Sequence, residues 1–435
     1  MLTLTLIFSW PKVWNEDKDQ FANSVHITSS GVVGGGNVWN DTLFSVRMTK
    51  WTKSGALLWN LRIKYNYDTW IYGISSYLDT IYAVGFTSDT TLTDYGTIWK
   101  ISPNGTLLNT KIINFPSSYL RDIHIDSLGN IFIAGYFWDN RYKAIFSKYD
   151  RDLNEVWTVI DSSNYHNYGM SIRTYKDGSV YFLKEGWDSA ITPTWKWYLS
   201  KLNGWTIQIN PSTVDNQGSK IDITNNGDII SVGHFWTSHY NWWITLYDNS
   251  GNYVWGVSYG LNGVSDMAKD VKYKNGYIYT VGWFDDAPYT WRLRWEKRDL
   301  GGGLICQFIL KWTNYDPRFS QGYGIDVDEG DTVYVAGYYI RTTTQAWYGV
   351  FMKFYGCQQV NYKELTTNDK FYVKERIFKE YTLAYNFGKY IDVFDINGKF
   401  LKRYYNPKIC YDLKPGIYIL KTSENKTLTV IKTGG

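Results

Sequence analysis

The feature that most constrains this chain is a recurrence of roughly 49 residues. One anchor position, usually glycine, falls at Gly36 in VVGGGNVW, Gly85 in YAVGFTSD, Gly135 in FIAGYFWD, Lys184 in YFLKEGWD, Gly233 in ISVGHFWT, Gly282 in YTVGWFDD and Gly337 in YVAGYYIR, at intervals of 49, 50, 49, 49, 49 and 55 residues. Each copy opens on an alternating apolar hairpin, as in DIHIDSLGNIFIAGYFW (122–138), and continues with a second strand pair, as in WITLYDNSGNYVWGVS (243–258). Four short strands with turn residues between them cannot bury their own faces, so the copies must stack on one another. The spacing predicts an all-β fold, a seven-bladed β-propeller.

The ends of the array carry the closure. The last strand of each copy bears a signature at Trp59, Leu108, Trp157, Ile207, Trp255 and Cys306, and the seventh copy lacks one after FMKFYG. The segment WPKVWNE around Trp14 supplies the missing strand from the amino end, which removes free sheet edges. These repeats resemble the bacterial seven-bladed β-propeller repeat family, whose unit reads roughly D-x-x-G-N-[IV]-Y-[IV]-x-G followed by K-[YF]-D-x-x-G-x-x-x-W. The match covers residues 5–360 and is weakest in the fourth copy, where Lys184 replaces the glycine. The resemblance implies a fold and no particular activity.

Near residue 360 the period stops, which divides the chain into a propeller, 1–360, and a carboxyl-terminal module, 361–435. Short alternating segments there, with VFDINGKFLKRYY as an Asn-Gly hairpin, predict a small β-sandwich. The module resembles the carboxyl-terminal sorting domains of type IX secretion through Val393, Phe394, Asp395, Ile396, Gly398 and Lys399, then Leu413, Gly416, Ile417, Tyr418, Leu420 and Lys421. That resemblance implies export and attachment to the cell surface.

Composition narrows the classes of function. Aromatics make up 19% of the chain, which suits pleated, half-buried surfaces. The net charge of +4 is scattered, without a basic run, so nucleic acid is not an expected partner. No apolar stretch is long enough for a transmembrane segment. The run Leu2 to Phe8 has no basic residue ahead of it and is not read as an intact signal peptide. Cys306, Cys357 and Cys410, none in a CxxC pair, are read as buried thiols rather than as one disulfide and a free thiol. Asn40, Asn104 and Asn425 lie in sequons.

The candidate binding face lies three and four residues after the anchor position. Trp39, Trp138, Trp187 and Trp236 recur there, with Asn40, Asp139 and Asp188 following the first three. Equivalent positions of a propeller share one face, so these residues draw a broken ring of indoles and carboxylates. An exposed ring offers flat platforms for sugars or a partner protein. A buried one packs blades together while the Asp or Asn caps the next turn.

Chemistry of other kinds is not written into the chain. The carboxylates Asp326, Asp328 and Asp331 sit near a glycine but do not fit a twelve-residue calcium loop. His26 and His124 occupy the same position of different copies, and no metal site or cofactor is expected. Sialidase, quinoprotein and Gly-x-Ser-x-Gly patterns are absent, so no catalytic residue is assigned. The reading is a non-enzymatic, exported or cell-surface protein with a structural, adhesive or filament-forming role, self-associating or joining other surface proteins. The alternative is a carbohydrate-binding or polysaccharide-processing propeller that uses the Trp/Asp face for glycans.

Overall fold

The computed structural model describes residues 10–14, 19–161, 163, 165–188, 194–209, 215–259, 265–285, 291–310, 320–340, 346–355 and 357, and the strands 391–395, 400–404, 416–422 and 427–432. Among them no helix is long and apolar enough to cross a membrane. Seven four-stranded antiparallel sheets form blades 1 to 6 at residues 20–63, 69–116, 118–160, 166–209, 216–259 and 266–309, and blade 7 at 320–355 with Lys12–Val13. The outermost strand of blade 7 thus comes from the amino end, with Lys12 opposite Phe351 and Val13 opposite Val350. Innermost strands of successive blades touch, and that of blade 1, Gln20–Thr28, touches that of blade 7, Ser320–Val327. The ring closes as the repeat requires.

Most of the apolar residues are buried between blades rather than within them. Val84 and Ile98 of blade 2 pack with Ile123 and Ile133 of blade 3, and Leu183 and Trp197 of blade 4 pack with Ile221 and Ile229 of blade 5. Each such side chain contributes about 1.5–3 kcal/mol. The tryptophan signature of the outer strand has a second task. Trp59 Nε1 donates to the Pro103 carbonyl at 2.9 Å, and Trp255 Nε1 to the Leu300 carbonyl at 2.8 Å, each in the turn of the next blade. Trp10 donates to the Lys53 carbonyl at 3.3 Å, which repeats the link across the closure. The turn must be bare to receive the indole: a Cβ on Gly105, at φ +86°, would stand 2.7 Å from Trp59.

Carboxylates staple neighbouring innermost strands. The Asp222 side chain accepts the Tyr273 N–H at 2.7 Å, Asp270 accepts Ile325 N–H at 2.9 Å, and Asp326 accepts Ile27 N–H at 2.9 Å. Backbone groups at the axis are satisfied in this way without a continuous sheet. The carboxylates of the Asp326 turn are engaged separately. Asp326 turns to His26 and Lys272, Asp328 caps the Gly330 and Thr332 N–H groups, and Asp331 meets Tyr279 and Lys297.

The thiol reading is also corrected, because Cys306 and Cys357 form a disulfide. Cys306 lies on the outermost strand of blade 6 and Cys357 just past the last strand of blade 7, so a separation of 51 residues, about one repeat, brings their Cα atoms to 5.6 Å. The bridge ties together the two blades nearest the closure. Cys410 lies outside the described residues.

Two compact units are present, and the propeller unit spans Trp10–Lys311 and Tyr315–Gln358. In the other unit, Ile391–Asp395 pairs with both Phe400–Tyr404 and Gly416–Thr422, and Thr427–Lys432 adds at the edge. The expected hairpin is therefore present. A sandwich needs a second sheet, and the stretch 358–390 where its strands are expected lies outside the described residues, as do Ile396, Gly398, Lys399 and Leu413.

Candidate functional site

Every innermost strand breaks its pairing once, at the same place in the repeat. The unpaired residue is Asn23, Tyr72, Arg121 or Met170 in blades 1 to 4 and Ser219, Lys269 or Tyr323 in blades 5 to 7. A β-bulge inserts one residue and re-aims its side chain. All seven bulged side chains line one axial cavity of about 300 Å³, with Phe21, Trp70, Lys220 and Tyr338 among its other walls. Such a volume lies at the small end of ligand sites.

The bulge also explains the recurring glycine. A Cβ on Gly36 would fall 1.7 Å from the Phe21 carbonyl oxygen, and one on Gly85 would fall 1.8 Å from that of Trp70. Each colliding carbonyl belongs to the residue two before the bulge. The repeating glycine is therefore the imprint of a repeating cavity residue on the innermost strand it pairs with. Lys184 breaks the pattern in blade 4 and directs its ammonium to Asp161; nothing in the structure explains how its Cβ is accommodated.

Arg121 and Lys269 supply the cavity's free cationic groups. Among the described residues no carboxylate lies within salt-bridge distance of either, whereas Lys220 is committed to Asp122 at 2.5 Å. The Arg121 guanidinium stacks on the Tyr72 ring at 4.2 Å, a cation–π contact that fixes its orientation. Glu185 is buried, with 8% of its surface exposed, and burial pushes its carboxyl up to about 8 against the pull of Lys269 and Arg121. Burial likewise brings Lys269 down to about 8, with Glu185 opposing. Both charged or both neutral, Glu185 and Lys269 sum to zero. The uncompensated charge of this group is Arg121.

Further along the same strands the ion pairs are saturated. Asp122 accepts Ser171 Oγ at 2.5 Å and Arg173 Nη1 at 2.6 Å, and Arg173 Nε lies 3.6 Å from Asp222. Burial would raise the Asp122 carboxyl, but Arg173 and Lys220 hold it well below the usual range. His124 is driven down to about 3 by burial and by Arg173 and Lys272, so it is neutral. Among the described residues no cluster of three metal-ligating side chains is present.

The indoles singled out in the sequence stand at the rim, where the second strand of each blade ends. Each pairs across to the start of the third strand: Trp39 opposite Phe44, Trp138 opposite Tyr142, Trp187 opposite Trp195, Trp236 opposite Tyr240. Trp138 and Trp236 are 44% and 38% exposed, while Trp39 and Trp187 are half-buried. Trp138 also reaches His166 of the next blade, with ring centres 5.9 Å apart. Asn40 caps the turn by accepting the Leu43 N–H at 2.9 Å, whereas Asp139 pairs with Lys143 at 2.5 Å. Asp188 ends its strand opposite Thr194.

The cavity residues carry a signal in the sequence. In blades 1, 2, 3 and 6 the apolar residues packed between blades are three apart rather than two, Ala22 and Val25, Ile71 and Ile74, Leu120 and Ile123, Ala268 and Val271, while in blades 4, 5 and 7 a glycine holds the earlier place. A break in period two marks the bulge and the side chain it releases.

The propeller is similar to the polysaccharide lyase Uly1, at a TM-score of 0.53 and 10% identity over 79% of this chain and 98% of that one. It is similar to the β-propeller domain of the Trilobed protease from Pyrococcus furiosus, at 0.47 and 13% over 77% and 96%. Virginiamycin B lyase from Staphylococcus aureus gives 0.43 and 9% over 79% and 99%. At these identities the likeness is one of fold. No protein-family model matches the chain, and no curated protein is recognisably similar to it.

Proposed function

We propose that this protein is a binding protein whose axial cavity takes a small anionic ligand. One observation carries the reading: Arg121 stands in an aromatic-walled cavity with its guanidinium stacked on Tyr72 and no carboxylate paired to it. A half-desolvated guanidinium favours a carboxylate or sulfate in bidentate geometry. An arriving anion also favours the charged form of Lys269, so binding takes up protons near pH 8. Calorimetry with glucuronate and with inorganic sulfate tests this. Arg121→Met is expected to weaken binding by about tenfold to a hundredfold, the loss of one charged hydrogen-bonding group. Binding unaffected by Arg121→Met, or no binding of either anion, removes the proposal.

Non-enzymatic action at the cell exterior completes this reading. The Cys306–Cys357 disulfide supports export, because such bridges persist in oxidising compartments. The type IX sorting resemblance of the carboxyl-terminal module agrees with it. A second reading, assembly with copies or other surface proteins, has its own support. The outermost strands expose apolar pairs at one position of the repeat, Leu57 with Leu58, Tyr253 with Val254 and Leu304 with Ile305. Size-exclusion chromatography and electron microscopy of the full chain decide it: large or filamentous species support assembly, and a concentrated monomer ends it.

A further inference from the structure

The rim tryptophans and the axial cavity are joined by one row of aromatic side chains, in which Phe86 is buried and Tyr72, Tyr119, Tyr136 and Tyr142 are half-buried. From the cavity wall, ring contacts run without a gap outward through blades 2 and 3. Tyr72 meets Phe86 at 6.2 Å, Phe86 meets Tyr119 at 5.0 Å, Tyr119 meets Tyr136 at 5.2 Å, Tyr136 meets Tyr142 at 5.5 Å and Tyr142 meets Trp138 at 5.0 Å. Beyond Trp138, His166 bridges to Trp187 at 5.5 Å. Trp138 lies three residues beyond Gly135, which pairs with Leu120 beside the bulge, so the path climbs about 10 Å by strand rise. One pyranose ring held at Arg121 is too short to reach Trp138.

Charge along this path is unequal. The deep end holds the uncompensated Arg121, whereas at the rim Lys143 is neutralised by Asp139 at 2.5 Å. A polymer charged on every unit gains little from such a path. A chain with one acidic end and neutral, flat-faced units behind it matches both ends. Resting on the anion-binding reading above, we infer that the ligand is the acidic end of a glycan. Its terminal sugar places a carboxylate on Arg121, and the neutral sugars behind it lie along the aromatic path to Trp138. Sugar faces carry axial C–H groups that stack on aromatic rings, while their hydroxyls remain hydrated at the open rim.

The test compares glucuronate, a neutral tetrasaccharide, and the same length of neutral chain capped at its non-reducing end by one glucuronic acid, titrated calorimetrically into the full chain. The capped chain is expected to bind at least about tenfold tighter than glucuronate, one tenfold step being 1.4 kcal/mol. Trp138→Ala should erase that gain while leaving glucuronate affinity unchanged, which also shows that the variant is folded. Trp138→Phe should retain part of the gain. Glucuronate binding with no gain for the capped chain overturns this inference and leaves the anion site standing, as does a gain that survives Trp138→Ala. Equal binding of the uncapped neutral chain also overturns it. No binding of glucuronate or of the capped chain removes the anion site itself.

Discussion

Two positions of the innermost strand, two residues apart, behave oppositely across the seven blades. The later one is Val25, Ile74, Ile123, Ile172, Ile221, Val271 and Ile325, always β-branched and at most 7% exposed. The earlier one, the bulge, takes six residue types in seven blades, repeating only tyrosine, and runs through amide, phenol, guanidinium, thioether, hydroxyl and ammonium. The fold sets the first, because each β-branched residue fills the wedge between two blades. The second faces a cavity that the fold leaves open. Uniformity in this repeat marks packing, and variety marks the side chains that face the cavity.

The most severe way to break that contrast is to crowd a bulge. Gly85→Ala drives a Cβ into the Trp70 carbonyl, so the backbone that presents the Tyr72 bulge must shift, whereas blade 4 keeps its Met170 bulge with Lys184 at the corresponding position. A loss of at least about 4 kcal/mol is expected, at the exceptional end for one residue. Denaturant unfolding measures it, and a variant within about 1 kcal/mol of the parent would show that blade 2 takes a Cβ beside its bulge as blade 4 does with Lys184.

The next effect is electrostatic. Asp122→Ala leaves Arg173 and Lys220 facing each other without their shared carboxylate. Removing one member of a buried ion pair typically destabilises by about 3–5 kcal/mol. The pH dependence has a definite sign. The folded carboxyl lies below its unfolded value, so its stabilisation is full above about pH 4, the ordinary aspartate range, and is lost as pH falls further. The parent and Asp122→Ala should therefore converge in stability under acid. Parallel curves down to about pH 2 would mean that the carboxylate is not the source.

Packing comes next and gives the plainest form of the comparison. Ile221→Ala is expected to cost about 2–5 kcal/mol, because a fully buried branched side chain leaves a cavity between blades 4 and 5. Ser219→Ala, at the bulge two residues earlier, loses only the hydroxyl's hydrogen bond to the Ala268 carbonyl at 2.8 Å and should cost about 0.5–1.5 kcal/mol. If the two variants unfold alike, the division into packing and cavity positions fails.

How much of this was readable from the chain follows the same line. Blade number, closure by the segment around Trp14 and the turn glycines all rest on local periodicity, which sequence displays directly. The bulge was hidden because SYLRDIHI reads as an alternating strand unless the three-residue step from Leu120 to Ile123 is noticed. The rim indoles were visible, yet their partners Tyr142, Trp195 and Tyr240 start the following strand and gave no sign of their role. The disulfide was not foreseen, because it depends on two outer edges meeting in space across 51 residues. The Arg121 site was beyond reach for a related reason: a solitary cation is recognised only once the partners of Lys220 and Glu185 are known.

The smallest effect tests one register position in two blades. Asp122 and Asp270 both follow the bulge, yet only Asp122 has close cationic partners. Burial pushes the Asp270 carboxyl up to about 6, opposed by Lys220. A raised folded value reverses the sign, so the folded state favours the protonated acid. Asp270 then loses stability as pH rises from about 4 through about 6. Asp270→Asn removes the ionisation and keeps an oxygen for the Ile325 N–H. The variant should match the parent near pH 4 and exceed it in melting temperature at about pH 8. A variant less stable than the parent at that higher pH would show that the Asp270 charge is wanted at the axis, and that these two equivalent positions are alike after all.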